Sequence, residues 1–456
     1  MKFYIALWIS KIIKAIIEVI SPQRGTALPG QIACKLCPGF IAKFKNICPE
    51  KIIIVTGTNG KSTTINIIAH SLHLAGKRIA TNIEGANMMG GVATVLIKNS
   101  SFLGVFNKEI LLLELDERSL PHVLKLLPIK HLCITNIQKD QVQRNGEPDY
   151  IYQKIRKAIN QDMILYLNND DPRTKPLEEY SSQVIYYGLE KNEKSYEKNG
   201  FYDVTLPCPI CSRKIVFHYY NIDNIGHFSC TGCSNKSNDS IDYIAQNIDY
   251  NNRSFTCHKL VYTIPYAQPF FIYNYILSIA ICKQLGIAES VLQQAFLSFR
   301  NIGGRLETLK YKNKIIKYIR IKQENPETLQ TAFDYISGDS ANKIVLIGLN
   351  ELVDFKPHYT NTFYFFDCTI DALINSNVER YICFSEAIAY DTANRLIYAG
   401  IDKEQITVLP TDDTEIILAE LDKYDIDNCY LITWLKKYAE VIKYTEKVED
   451  DYDART

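Results

Sequence analysis

The chain has 456 residues, with 51 Lys plus Arg against 51 Asp plus Glu, 46% hydrophobic and 22% charged residues. That length points to two or three domains, and the apolar content excludes a disordered chain. No basic excess exists to neutralise a phosphate backbone, so nucleic acid is excluded as an expected partner.

Residues 1–22 are apolar, but Lys11, Lys14 and Glu18 interrupt them, so they are too broken to span a bilayer. No small-residue cleavage site follows, as a signal peptide would need. Ile5, Ile9, Ile12, Ile13, Ile16 and Ile20 recur at helical spacing. This predicts an amphipathic helix that either packs on the core or lies near a membrane surface. Thr26-Ala-Leu-Pro-Gly30 breaks the pattern, and a further apolar segment leads to the first strand.

That strand is Lys51-Ile-Ile-Ile-Val55, and it runs into Thr56-Gly-Thr-Asn-Gly-Lys-Ser-Thr-Thr64. An amphipathic pattern with Ile65, Ile67, Ile68 and Leu72 apolar leaves it. The order is strand, glycine loop, helix. Gly57 and Gly60 let the backbone turn tightly and aim its N–H groups at phosphate oxygens. Lys61 adds a point charge, and the Ser62 hydroxyl suits Mg²⁺. Only Thr58 and Asn59 separate the glycines, where the common P-loop has four residues, so this is a nucleotide loop of a shorter kind.

Residues 77–80 read as a second strand, ending in the polar stretch 81–88, where ligands collect in open parallel sheets. Ile110-Leu-Leu-Leu-Glu-Leu-Asp-Glu117 reads as a buried strand whose end presents acids, with Glu114 or Asp116 suited to Mg²⁺. Residues 131–136 and 163–167 are further strands with polar ends. Strands alternating with helical stretches define a doubly wound α/β domain.

Cys208-Pro-Ile-Cys211 and Cys230-Thr-Gly-Cys233 form two dithiol knuckles eighteen residues apart. This spacing predicts a tetrahedral structural Zn²⁺ site in a ribbon, closed by four thiolates and therefore without chemistry of its own. The other nine cysteines are scattered, mostly in apolar runs, which suits a reducing, cytoplasmic compartment.

A helix begins near Phe270, with Asn274 either capping it or reaching a nucleotide base. Gly303-Gly-Arg305 reads as a hinge carrying a phosphate-binding guanidinium. Strand candidates at 343–348, 381–384, 405–409 and 429–433 then define a second, smaller α/β domain, and the tail after Lys447 is acidic.

Together these stretches resemble the Mur ligase superfamily, most closely its lipid II-amidating branch. The resemblance rests on Thr26-Ala-Leu-Pro-Gly30, the 56–62 loop, Asn82-Ile-Glu-Gly-Ala-Asn87 and Glu114-Leu-Asp-Glu117. It continues through Thr135-Asn-Ile-Gln-Lys-Asp-Gln141, Arg144-Asn-Gly-Glu147, the four cysteines, Tyr273-Asn-Tyr275 and Gly304-Arg-Leu-Glu307. Asn325-Pro326 and Asp391-Thr-Ala-Asn-Arg-Leu-Ile-Tyr-Ala-Gly400 extend it to the C-terminal part.

The resemblance implies a helical segment at 1–50 packing on an ATPase domain at 51–303. A zinc ribbon is inserted at 206–236, and a Rossmann-like α/β domain follows at 304–456. It implies ATP-dependent amidation of the α-carboxyl of D-glutamate in lipid II, through an acyl phosphate. Gly57, Thr58, Asn59, Gly60, Lys61, Ser62 and Thr63 would cradle the phosphates, with Ser62 and Glu114 on Mg²⁺. Asn274 would lie near adenine and Arg305 near the phosphates. No glutaminase arrangement is present, so a separate GatD-like glutaminase subunit is the implied heterodimer partner. The expected location is the cytoplasm, extending to the inner face of the cell membrane.

Relatives carry an Asp-Gly-Arg-Asp run and a later Trp-Asp in the C-terminal domain. Here Asp354-Phe-Lys-Pro-His358 and Phe366-Asp367 stand in those places, making Asp367, then Asp354, the candidate catalytic acids beside Lys61 and Glu114. For each, a loop Asp capping a helix is the plainer alternative. Two rival functions stay open. One is an amino-acid-adding ligase, such as a peptide-adding Mur ligase or a folylpolyglutamate synthase, against which the cysteine ribbon argues. The other is a degenerate ligase scaffold that only binds a partner, against which the intact loop argues.

Overall fold

The computed structural model describes the chain except for residues 21–26, 84–85, 140–146, 198–205, 223, 301–305, 322–324, 350–362, 375 and 449–456. Two compact units are present: Met1–Gln138 with Asn145–Asn301, and Lys139–Arg144 with Ile302–Thr456. Arg305, Asp354, the 303–304 hinge and the 354–358 stretch lie outside the described residues.

In the first unit α1 (Lys2–Ile20) and α2 (Leu28–Leu36) precede β1 (Ile52–Thr56), which passes through the glycine loop into α3 (Lys61–Leu74). Then come β2 (Ile79–Thr81), α4 (Met89–Lys98), β3 (Ile110–Glu114), α5 (Leu120–Leu124), β4 (His131–Ile134), α6 (Pro148–Arg156), β5 (Ile164–Asn168) and β6 (Gln183–Leu189). A three-stranded ribbon follows, made of β7 (Leu206–Pro207), β8 (Lys214–Ile222) and β9 (Ile225–Cys230). The unit ends with β10 (Tyr243–Asp249), β11 (Ser254–Cys257), β12 (Leu260–Thr263), α7 (Pro269–Gln284) and α8 (Glu289–Ser298).

The main sheet runs β12-β11-β10-β6-β5-β4-β1-β3-β2. Every pair from β10 to β2 is parallel, and β11 and β12 add antiparallel pairs at one edge. The uninterrupted apolar run of β1 has a direct cause. Ile53 and Val55 pack into a core with α3, α7 and α8, while Ile52 and Ile54 pack into a second core with α1, α2 and α4. A strand buried on both faces cannot alternate with polar residues. Strand order reverses at β1, with β3 on one side and β4 on the other, so the loop after β1 sits at a switch point of the sheet.

The second unit carries β13 (Leu306–Tyr311), β14 (Lys314–Arg320), β15 (Lys343–Gly348), β16 (Val378–Phe384), β17 (Ile406–Leu409), β18 (Asn428–Thr433) and β19 (Glu446–Val448). They form one sheet in the order β17-β16-β15-β18-β14-β13-β19. The four strands expected from sequence are β15 to β18. The β13–β14 hairpin escaped notice because lysines at 310, 312, 314 and 317 mask its pattern. In the fold Lys314 is buried, its ammonium donating to the carbonyls of Tyr424 and Ile426.

The end of β5 ties several elements together. Asp171 accepts the N–H of Ile137 at 2.8 Å and of Arg173 at 2.9 Å. Asp170 accepts the N–H of Leu189 at 3.0 Å and the Tyr273 hydroxyl at 2.6 Å. Both carboxyls are buried. Burial pushes each up to about 6, although these hydrogen bonds pull the other way.

The folded-state value lies above the unfolded one, so the stability tied to these groups is fully present below about pH 4. It is lost as pH rises through about 6. Asp170→Asn removes the charge while keeping the shape. Measured by urea denaturation at each pH, its stability relative to wild type should rise between pH 4 and 7.5 by up to about 3 kcal/mol. A difference that does not change with pH would refute the assignment.

Candidate functional site

The glycine loop is built by strand geometry. Val55 pairs with Glu114 of β3 and with Cys133 of β4, so both neighbouring strands end beside the loop. Gly57 has φ +117°, and a Cβ there would stand 2.3 Å from the Thr135 hydroxyl and 2.8 Å from the Asn136 carbonyl. Gly60 has φ +84°, and a Cβ there would stand 2.5 Å from Asn274 Oδ1. Neither position accepts a side chain.

The loop is held from the β4 side. Thr58 N–H donates to the Asn136 carbonyl at 2.8 Å, and Asn59 N–H to Asn136 Oδ1 at 3.0 Å. Asn136 Nδ2 returns a bond to the Asn59 carbonyl at 3.1 Å, and Gln138 N–H donates to the Thr58 hydroxyl at 2.9 Å. From the other side Thr64 Oγ1 donates to Asn274 Oδ1 at 3.1 Å. Asn274 is buried inside α7, whose N-terminal boundary is Gln268, so it does not cap that helix. Its observed role is to brace α3 and Gly60.

Helix α3 starts at Lys61, two residues before the apolar pattern suggests, because left-handed Gly60 occupies its N-cap position. No side chain caps that terminus. Its first N–H groups therefore keep the partial positive charge that favours an anion. Lys61 is buried, and its ammonium donates to the carbonyls of Gly57 and Thr58 and, at 2.9 Å, to Glu117 Oε1. Glu117 is equally buried. The sequence pattern assigns Glu117 no role. A third acid three residues past the end of β3 leaves no periodic signal.

Ser62 Oγ donates to Glu114 Oε2 at 2.7 Å. The Glu114 backbone is fixed by Asn82, which accepts its N–H and donates to its carbonyl, both at 2.8 Å. Asn87 Nδ2 donates to the other carboxylate oxygen at 3.3 Å. Asp116, the alternative cation ligand, is engaged by Arg118 through both carboxylate oxygens at 3.0 Å. Burial would raise its pKa, but the Arg118 hydrogen bonds and charge outweigh this and hold it below the usual range. Of the two acids, Glu114 is the one beside the Ser62 hydroxyl.

Cys208, Cys211, Cys230 and Cys233 converge, with all four Sγ atoms within 4.8 Å of one another. Cys208 lies 3.7 Å from Cys233, and Cys211 lies 3.4 Å from Cys230. Four thiolates on a tetrahedral Zn²⁺ with bonds of about 2.3 Å are separated by about 3.8 Å, so the donor set fits that ion. Among the described residues the ribbon's own core is small, with Leu206, Cys208, Ile215 and Phe228 buried and Phe217 and the other three cysteines packed against them, too little to hold a fold without a staple. Asn235 Nδ2 donates to Cys208 Sγ at 3.6 Å and to the Pro172 carbonyl at 3.0 Å, fastening the cluster to the end of β5. Asp367 belongs to the second unit, directly after the short helix Phe363–Phe366, and is about one-third exposed.

The Mur ligase middle-domain family matches residues 55–231, and the MurT ligase C-terminal family matches residues 323–435. The lipid II isoglutaminyl synthase (glutamine-hydrolyzing) subunit MurT of Staphylococcus aureus (strain COL) is 28% identical over 84% of this chain and 85% of its own. The subunit of the same name from Streptococcus pneumoniae (strain ATCC BAA-255 / R6) is 28% identical over 93% of this chain and 92% of its own. Among solved structures, a pseudomurein peptide ligase type C from Methanothermus fervidus shares the fold with a TM-score of 0.65. Its sequence identity is 17%, covering 88% of this chain and 79% of that one. The chain thus matches the Mur ligase middle-domain family and the MurT C-terminal family in two separate stretches, and it is similar over most of its length to lipid II isoglutaminyl synthase MurT subunits.

Proposed function

We propose that this chain is the synthetase subunit of a glutamine-dependent ligase that converts the α-carboxyl of D-glutamate in lipid II to the carboxamide, giving D-isoglutamine. The observation that carries the reading is the Ser62–Glu114 pair on an open glycine loop, in a chain alike along 93% of its length to a lipid II isoglutaminyl synthase subunit. The partner is a GatD-like glutaminase subunit. The substrate is lipid-linked, so the work is done on the cytoplasmic side, at the inner face of the membrane.

The substrate carboxylate attacks the γ-phosphorus of ATP, and ADP leaves. Ammonia then attacks the acyl phosphate carbonyl, losing a proton as inorganic phosphate departs. The protein's contribution is positioning and charge. Residues 57–63 offer backbone N–H groups to the phosphates. Lys61 gives up Glu117 to meet the β- and γ-phosphates, which replace one buried anion with another. Ser62 and Glu114 would hold Mg²⁺, which neutralises phosphate charge when bound. Asn274 packs against Gly60 and Thr64, and by the resemblance it would also serve the adenine end of the nucleotide. By the resemblance, Arg305 would act on the phosphates, and Asp367 or Asp354 would orient the substrate carboxylate or ammonia. The four cysteines would hold a structural Zn²⁺ and take no part in the chemistry.

Co-purified with its glutaminase and given ATP, glutamine and lipid II, the chain should yield a product whose mass reflects one OH replaced by NH₂. Lys61→Ala should abolish the change. Unchanged lipid II from the wild-type pair, or full turnover by Lys61→Ala, sinks the proposal. Glu117→Gln removes the anion that faces Lys61 in the nucleotide-free protein. It should cost about 2 kcal/mol without nucleotide, and ATP with Mg²⁺ should raise its melting temperature by more than it raises that of wild type. Equal nucleotide shifts would contradict the exchange of partners. Cys208→Ser should lose bound zinc, measured by elemental analysis, and lower the melting temperature while the 55–64 loop still binds nucleotide.

A further inference from the structure

Helix α1 has two apolar faces, and the core accounts for only one of them. Phe3, Ala6, Leu7 and Ser10 are buried against the domain. Ile5, Ile9, Ile12, Ile16 and Val19 lie on the opposite side at intervals of four and three, with Trp8 beside them, forming one continuous stripe. Their exposure runs from 38% at Ile9 to 85% at Val19. Scattered exposed apolar residues are ordinary, but a stripe along a whole helix is not.

A loop from elsewhere in the unit extends the stripe. Ser101 N–H bonds to the Val105 carbonyl at 2.9 Å and closes a turn with Phe102 and Leu103 at its tip, exposed by 68% and 63%. Trp8 Nε1 donates to the Phe102 carbonyl at 2.9 Å, locking the turn against α1. Lys11 donates to the carbonyls of Ile97 and Ser100, both at 2.7 Å, and its ammonium lies 5.4 Å from the Phe102 ring centre. The turn is thus held with its apolar tip outward.

Charge says what covers this surface. Residues 1–49 contain seven Lys or Arg and one acid, Glu18, in a chain whose charges balance overall. Lys2, Lys35, Lys43 and Lys45 are exposed. An apolar helix face with an indole at its edge and a local basic excess matches the interfacial layer of an anionic bilayer. Among the described residues no helix is long and apolar enough to cross a membrane. The arrangement is therefore that of a helix lying on a surface.

We propose that the outer face of α1, with the Phe102–Leu103 turn, seats this chain on an anionic phospholipid surface. The idea extends the reading of a lipid-linked substrate, but it rests on the surface itself, and its test uses no lipid II. The full chain is sedimented with vesicles of phosphatidylcholine alone and of phosphatidylcholine with 30% phosphatidylglycerol (about one anionic lipid in three, enough to set up a negative surface potential). Expected are binding to the anionic vesicles, weakening at high salt, and a blue shift of Trp8 fluorescence in a Trp434→Phe background, where Trp8 is the sole tryptophan.

The triple variant Ile12→Ser, Ile16→Ser, Phe102→Ser changes only exposed side chains. It should keep its circular dichroism spectrum and nucleotide binding while losing at least tenfold in vesicle affinity. The proposal is overturned if neither vesicle binds, or if the triple variant binds as wild type does. It is equally overturned if the stripe instead drives a concentration-dependent dimer that the triple variant abolishes while vesicles have no effect. Failure of amidation in the mass assay would leave all these readings intact.

Discussion

A loop of four residues with two left-handed glycines has no reason of its own to hold one shape. What fixes it is Asn136, which accepts the Asn59 N–H, returns a bond to the Asn59 carbonyl and offers its own carbonyl to Thr58. The side chain supplies a donor and an acceptor at once, which neither a carboxylate nor an ammonium can do. Every other feature of the site is arranged around a loop already set. Glycine is required at 57 because Thr135 and Asn136 stand where a side chain would go, and at 60 because Asn274 does. A loop preformed in this way would lose little order on binding an anion, so affinity would not be spent on folding it.

The same bonding reaches the cysteine cluster. Gln138 holds Thr58, Asp171 holds the N–H of Ile137, and Pro172 accepts from Asn235, whose other partner is Cys208. Asn169 and Asn238 add a reciprocal pair at 3.2 and 2.9 Å. The ribbon is therefore fastened to the strand end that supports the nucleotide loop, not hung from a flexible tether. This placement gives a physical reason for two buried carboxyls in one segment. An acid can accept several backbone N–H groups at a point where three elements meet, and its desolvation is the cost of that junction.

Much of this was legible in sequence for one reason: buried parallel strands carry apolar runs, as β1, β3, β4, β5 and β15 do over most of their length, and β16 and β18 do at 381–384 and 429–432. The turn of the glycine loop and the convergence of the four cysteines were legible because each follows from residue spacing. What escaped were contacts between residues far apart in the chain. Nothing in the pattern around Asn274 says that it braces Gly60, 214 positions earlier. Nothing around Glu117 says that it answers Lys61. The β13–β14 hairpin was hidden because its lysines break the pattern, and Lys314 is buried only through carbonyls more than a hundred residues away, at Tyr424 and Ile426.

Helix α1 shows how a periodicity argument can pose a false choice. Apolar residues at helical spacing suggested either a core helix or a membrane-surface helix, as though one face had to decide. The residues that recur at that spacing divide between two faces. Phe3, Ala6 and Leu7 meet the core, and the isoleucine stripe with Trp8 meets solvent. A helix that only packed on the core would carry charges on its outer face, and this one carries isoleucine there while its lysines turn aside to carbonyls and to Glu18. Leaving six large apolar side chains in water forfeits their transfer free energy, about 1.5–3 kcal/mol for each side chain fully buried. A second apolar environment for that face recovers it, and the basic excess around α1 selects an anionic surface as that environment.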